Sequence, residues 1–99
     1  MQKLSIMSQE KQCYLCGRNG NGDYLDRHHI FGGPFRPKSE KYGLVVYLCH
    51  HRCHENGKEA VHKNKDTMLR LHQEGQRRIM EEQDWTTEDF IREFGRNYL

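Results

Sequence analysis

The tightest constraint on this chain lies between Cys13 and His62, where all four cysteines and six of the seven histidines fall. They come as Cys13-Tyr14-Leu15-Cys16, as His28-His29 within Asp26-Arg27-His28-His29-Ile30, as Leu48-Cys49-His50-His51-Arg52-Cys53-His54, and finally as His62. Thiolates and imidazoles are the side chains that bind zinc and its neighbours in the first transition row. A chain that gathers them so densely is expected to fold around metal.

A chain of 99 residues makes one small domain, and with 34% hydrophobic against 30% charged residues its core must be thin. Small domains bury proportionally less surface and often depend on a metal or on disulfides. Met1–Ser8 holds no apolar run suited to a secretory segment, and no stretch approaches the length of a membrane span. The expectation is a cytoplasmic, reducing compartment with no membrane partner, where cysteines favour metal over disulfide. Residues 1–65 carry 11 Lys/Arg against 6 Asp/Glu, and residues 66–99 carry 5 against 8. The basic part coincides with the Cys/His part, as expected of a surface that meets phosphates.

Residues 1–12 read as a loose N-terminal arm. Cys13-x-x-Cys16-Gly17 reads as a knuckle, followed by turn residues through Asp23. Tyr24–Ile30 predicts a short strand. Gly32-Gly33-Pro34-Phe35-Arg36-Pro37-Lys38 predicts a loop. Tyr42–Leu48, rich in β-branched and aromatic residues, predicts the second strand. A helix is expected from Cys49 to Asn56, ended by Gly57 at C′. Residues 66–83 read as a helix with Asp66 or Thr67 as N-cap and a stripe of Met68, Leu69, His72, Gln76, Ile79 and Met80. Thr86 to Asp89 reads as the capped start of a last helix that ends at Gly95 and packs through Phe90, Ile91 and Phe94. The fold class is α+β, with 13–65 as the metal-bearing domain and 66–99 as a helical extension packed on it.

Two cysteine pairs on separate elements can supply a tetrahedral zinc site from Cys13, Cys16, Cys49 and Cys53. Two disulfides or four free thiols are the alternative, and His50 or His54 could replace one cysteine as ligand. The remaining histidines need another role. Neutral imidazole binds zinc, nickel, manganese or iron, and near neutral pH it also serves as a general base. His50 and His51 read as surface or capping groups, and His72 as an isolated side chain on a later helix.

The ordered set Cys13-x-x-Cys16, His28-His29-Ile30 and Tyr47-Leu48-Cys49-x3-Cys53-His54 resembles the HNH endonuclease family, also called the His-Me finger or ββα-metal fold. It looks most like the small cysteine-containing members found in bacteria and their phages. The resemblance covers residues 13–64. It implies a ββα-metal core with a structural zinc knuckle. It also implies His28 and His54 as ligands of a catalytic Mg²⁺, Mn²⁺, Ni²⁺ or Zn²⁺, His29 as general base, and His62 as a further metal or phosphate ligand. Arg27, Arg36 and Lys38 flank that site and are candidates to clamp phosphates. The family's central asparagine, which orients the base, is missing before Leu48-Cys49. Ser39, Tyr42 or a main-chain carbonyl are the candidates to replace it.

The expected function is metal-dependent hydrolysis of double-stranded DNA. The alternatives are a non-catalytic zinc module that binds nucleic acid or protein, and an RNA-directed nuclease. One tension stands out: neighbours on a strand point to opposite faces, so His28 and His29 can serve one site only where the strand bends or ends.

Overall fold

The computed structural model describes Met7 and residues 11–99. Over these residues it has a small mixed α/β fold built on one two-stranded sheet. Strand β1 (Leu25–His29) runs antiparallel to β2 (Val45–Cys49), with Leu25 opposite Cys49, His28 opposite Val46 and His29 opposite Val45. Between them lie a 3₁₀ turn (Gly33–Phe35) and helix α1 (Arg36–Lys41); after β2 come a π-helical turn (His50–Glu55), helix α2 (Lys65–Gln83) and helix α3 (Thr87–Phe94). Among the described residues no helix is long and apolar enough to cross a membrane.

The expected loop over 32–38 is in fact largely helical. Pro34 and Pro37 each sit in the first turn of their helix. There the missing N–H has no partner to lose and the fixed φ suits the helix, so proline starts these turns and does not forbid them. Tyr42 and Gly43, the latter with φ of 71°, end α1, so the second strand begins at Val45 and runs on to Cys49. Buried Ser39 ties this crossover to β1: its hydroxyl donates to the Leu44 carbonyl at 2.7 Å and accepts from the Phe31 amide at 3.1 Å. Ser39 therefore holds backbone, not His29.

The helix expected from Cys49 begins one residue later and is wider. The amides of Asn56 and Gly57 both donate to the His51 carbonyl, and such widened turns often occur at functional sites. Gly57 does not take the left-handed conformation expected at C′. A Cβ there would lie 1.8 Å from the Arg52 carbonyl oxygen, so glycine is required by contact.

Helix α2 is capped by Asn64, whose side chain accepts from the amides of Asp66 and Thr67. That places the cap two residues before Asp66 and three before Thr67, the positions expected. Its buried stripe is Thr67, Leu71, Gly75, Gln76 and Ile79, while Leu69 is exposed. Gly75 belongs to that stripe because Ile30 and Phe31, just past β1, press against it. Helix α3 carries the expected capping box of Thr86 and Asp89 and ends at Gly95 with φ of 89°. Phe90 and Phe94 are fully buried and pack on Phe31; Ile91 faces out. Of the expected loose arm over 1–12, Met7 is held: its side chain is buried and its amide donates to the Val45 carbonyl at 3.0 Å. Residues 1–6 and 8–10 of that arm lie outside the described residues.

Candidate metal centres and the histidine cleft

The Cys13 carbonyl accepts from the Gly17 amide, and the Cys13 amide donates to the Arg18 carbonyl. These bonds fold the knuckle, and a bond from the Tyr14 amide to the Tyr47 carbonyl pins it to β2. Cys49 ends β2 and Cys53 lies one turn later. The four Sγ atoms fall within 4.8 Å of one another, with Cys16 and Cys49 3.5 Å apart. A tetrahedral zinc with bonds of about 2.3 Å spaces its sulfurs roughly 3.8 Å apart, so this cluster can hold such an ion. The thiols conflict without one. Cys16 is partly desolvated, yet donors from Arg18 bring it down to about 6; burial and the neighbouring sulfurs push Cys49 up to about 12 and Cys53 higher still. A divalent cation removes that conflict by favouring all four thiolates.

A second cluster joins His28, His54 and His62, whose ligand atoms also lie within 4.8 Å. His28 comes from β1 and His54 from the π-helical turn. His62 is brought alongside by backbone bonds from Val61 to Cys53 and from His62 to His54. The Nε2 atoms of His54 and His62 are 3.2 Å apart, close to the ~3.3 Å between nitrogens on one tetrahedral zinc. His28 is buried and its Nε2 has no hydrogen-bond partner. A buried polar atom without a partner is costly, and an ion at this point would satisfy it. Burial, then the proximity of His54 and His62, lowers His28 to about 3, so it is neutral and its lone pair is available.

Asp26 organises this cluster from the strand position two residues before His28, on the same face. Its Oδ2 lies 2.7 Å from His54 Nδ1 and 2.6 Å from His50 Nδ1. Partial burial opposes its ionisation, but the bonds from His50 and His54 prevail and hold it below the usual carboxylate range. A carboxylate that fixes Nδ1–H turns Nε2 toward an ion. Buried Asp23 does comparable work one step out, accepting from the amides of His51 and Arg52 and so anchoring the π-helical turn.

His29 points to the other face, where its Nε2 meets Glu40 Oε2 at 2.8 Å. Arg27, two residues back, contacts the same oxygen at 2.6 Å. The Arg27 bond, aided by His29, lowers Glu40 to about 2. A proton on Nε2 satisfies this carboxylate and leaves the lone pair of His29 on Nδ1. Among the described residues Glu40, and not Ser39 or Tyr42, is the side chain bonded to His29; Tyr42 packs edge-on against Trp85.

The faces meet because β1 ends at His29. A cleft of about 290 Å³ wraps that end, lined by Arg27, His28, His29, Gly32, Arg36, His54 and His62. Lys38 is placed elsewhere: its ammonium donates to the Glu93 carbonyl at 2.8 Å and pairs with the Glu93 carboxylate. His50 stacks on Tyr24, and His72 is stacked on Phe31. Comparison with family models, curated proteins and solved structures finds no match to this chain.

Proposed function

We propose that the cleft hydrolyses phosphodiester bonds in DNA as an HNH-type, metal-dependent endonuclease with a ββα-metal core. One observation carries the reading: three imidazoles converge on one point, with a buried, unpartnered His28 Nε2, and a fourth histidine held by an acid lines the same cleft. The HNH-like order of Cys13-x-x-Cys16, His28-His29 and Cys53-His54 supports it.

His28, His54 and His62 are the residues that would hold a divalent ion, with His54 oriented by Asp26. Such an ion supplies Lewis-acid stabilisation of the charge that develops on the phosphate and the 3′ oxygen. The protein does the rest. His29 Nδ1 takes a proton from water while Glu40 steadies Nε2–H. The water oxygen forms its bond to phosphorus as the bond to the 3′ oxygen breaks. That oxygen leaves with the electron pair and is protonated from solvent. Arg27 and Arg36 line the cleft and hold the anionic phosphate. The products carry a 5′-phosphate and a 3′-hydroxyl. Cys13, Cys16, Cys49 and Cys53, with zinc, fix the turn that carries His54.

Supercoiled plasmid incubated with the protein and Mg²⁺, Mn²⁺ or Ni²⁺ is expected to be nicked or linearised, with breaks that DNA ligase reseals. Intact plasmid with every ion contradicts the reading, and breaks that ligase cannot reseal contradict the chemistry.

A further inference from the structure

The basic character of the cleft does not stop at His62. That residue also lines a second, open groove of about 680 Å³ that runs over the start of α2 to the C-terminal segment. Lys63, Lys65 and Arg96 border it, against the single carboxylate of Asp66. Four other cations around the two helices are held in ion pairs. Arg70, Arg78 and Arg92 pair with acids on their own helices, and Lys38 pairs with Glu93. Among the described residues Lys63 and Lys65 pair with no carboxylate. The helix start is not the source of attraction, because Asn64 already caps its amides.

The groove also has apolar surface among its charges. Leu69 is 42% exposed, and Met68 and Tyr98 line the same channel. Arg96 lies over the Tyr98 ring, 4.9 Å from its centre. Unpaired cations beside apolar surface suit a nucleic-acid strand, whose phosphates meet the cations and whose bases meet the apolar side chains.

We infer that this groove binds one strand of the nucleic-acid substrate as it leaves the cleft past His62, so that α2 and the C-terminal segment are part of the substrate-binding surface. The inference builds on the nuclease reading for the identity of the ligand. It assigns a binding role to a region whose overall charge is acidic, because of its eight carboxylates four are taken up in ion pairs away from the groove and only Asp66 borders it.

The test is fluorescence anisotropy with a labelled single-stranded oligodeoxynucleotide and the matching duplex, without added catalytic metal. Lys63→Ala/Lys65→Ala is expected to weaken binding about tenfold or more and to flatten the dependence of log affinity on log salt by about 1.4, at roughly 0.7 per lost phosphate contact on a single strand. Arg96→Glu should weaken it further. Arg77→Ala, which removes an exposed charge away from the groove, serves as the matched control and should bind as the native protein does. No binding by the native protein, or native affinity and salt slope in the double lysine variant, would overturn the groove. Equal weakening by Arg77→Ala would overturn it too, by reducing it to net charge. Preference for duplex with unchanged lysine dependence would replace the single strand with a helix backbone and overturn the one-strand assignment. Cleavage of the same oligonucleotide is scored separately: binding without cleavage removes the nuclease and leaves the groove.

Discussion

Two acids set the histidines apart at the residue scale. On one face of β1 Asp26 holds Nδ1 of His54 and of His50, and on the other Glu40 holds Nε2 of His29. The Asp26 bond leaves His54 Nε2 to face His62; the Glu40 bond takes up Nε2 of His29, whose ring lines the cleft. The Glu40 contact has a pH signature. Its carboxyl lies at about 2 against an ordinary 4.5, first through Arg27 and then through His29. As pH falls, the unfolded chain takes up that proton before the folded one does. The stabilisation is therefore complete above about 4.5 and lost as pH falls through about 2. Glu40 is a third exposed, so solvent screening keeps the effect below about 1 kcal/mol. The gap in denaturation midpoint between the native protein and Glu40→Gln should narrow from about pH 6 to about pH 3. A constant gap across that window contradicts the coupling.

At the scale of elements, close approach outweighs local preference. Alanine at an exposed helix interior would be preferred over glycine by about 1 kcal/mol. At Gly75 the added methyl would lie 2.8 Å from Ile30 Cγ2 and 3.2 Å from the Phe31 ring. Gly75→Ala should therefore destabilise, by about 1–3 kcal/mol in chemical denaturation; a stabilised variant would show that α2 does not pack on the end of β1 as described.

The same contest explains what was legible in the sequence. Both strands, the capping box at Thr86 and the grouping of the cysteines follow from local patterns and were readable. Glu40 was not, because the Gly/Pro segment before it read as a loop, and a helix start hides behind prolines that suit its first turn. Asp26 sat in view, two residues from His28, but its partners His50 and His54 lie 24 and 28 residues away. The π-helical turn carries no sequence periodicity that distinguishes it from an α-helix. Leu69 and Ile91 fit an apolar stripe in sequence, yet tertiary packing leaves them exposed.

Among the described residues a thin core carries the cysteine cluster and the cluster of His28, His54 and His62, which share one turn, His50–Glu55, with a third grouping of Asp26, His50 and His54 beside them. Cys53 faces the knuckle and His54 faces the cleft, so the cysteine site sets the position of the histidine site. A structural zinc contributes about 10 kcal/mol or more to folding in small metal domains. Strong chelators or Cys49→Ser should therefore lower the thermal midpoint sharply; an unchanged midpoint in Cys49→Ser would remove the structural role of the cluster.

The proposed division of labour, an ion on three histidines and a proton on the fourth, is tested most directly by plasmid cleavage with His29→Ala. The variant should keep the native circular dichroism spectrum and metal content while its cleavage rate falls by about 10²–10⁴-fold, the usual effect of losing a general base. Cleavage at the native rate by a folded, metal-loaded His29→Ala protein would contradict it.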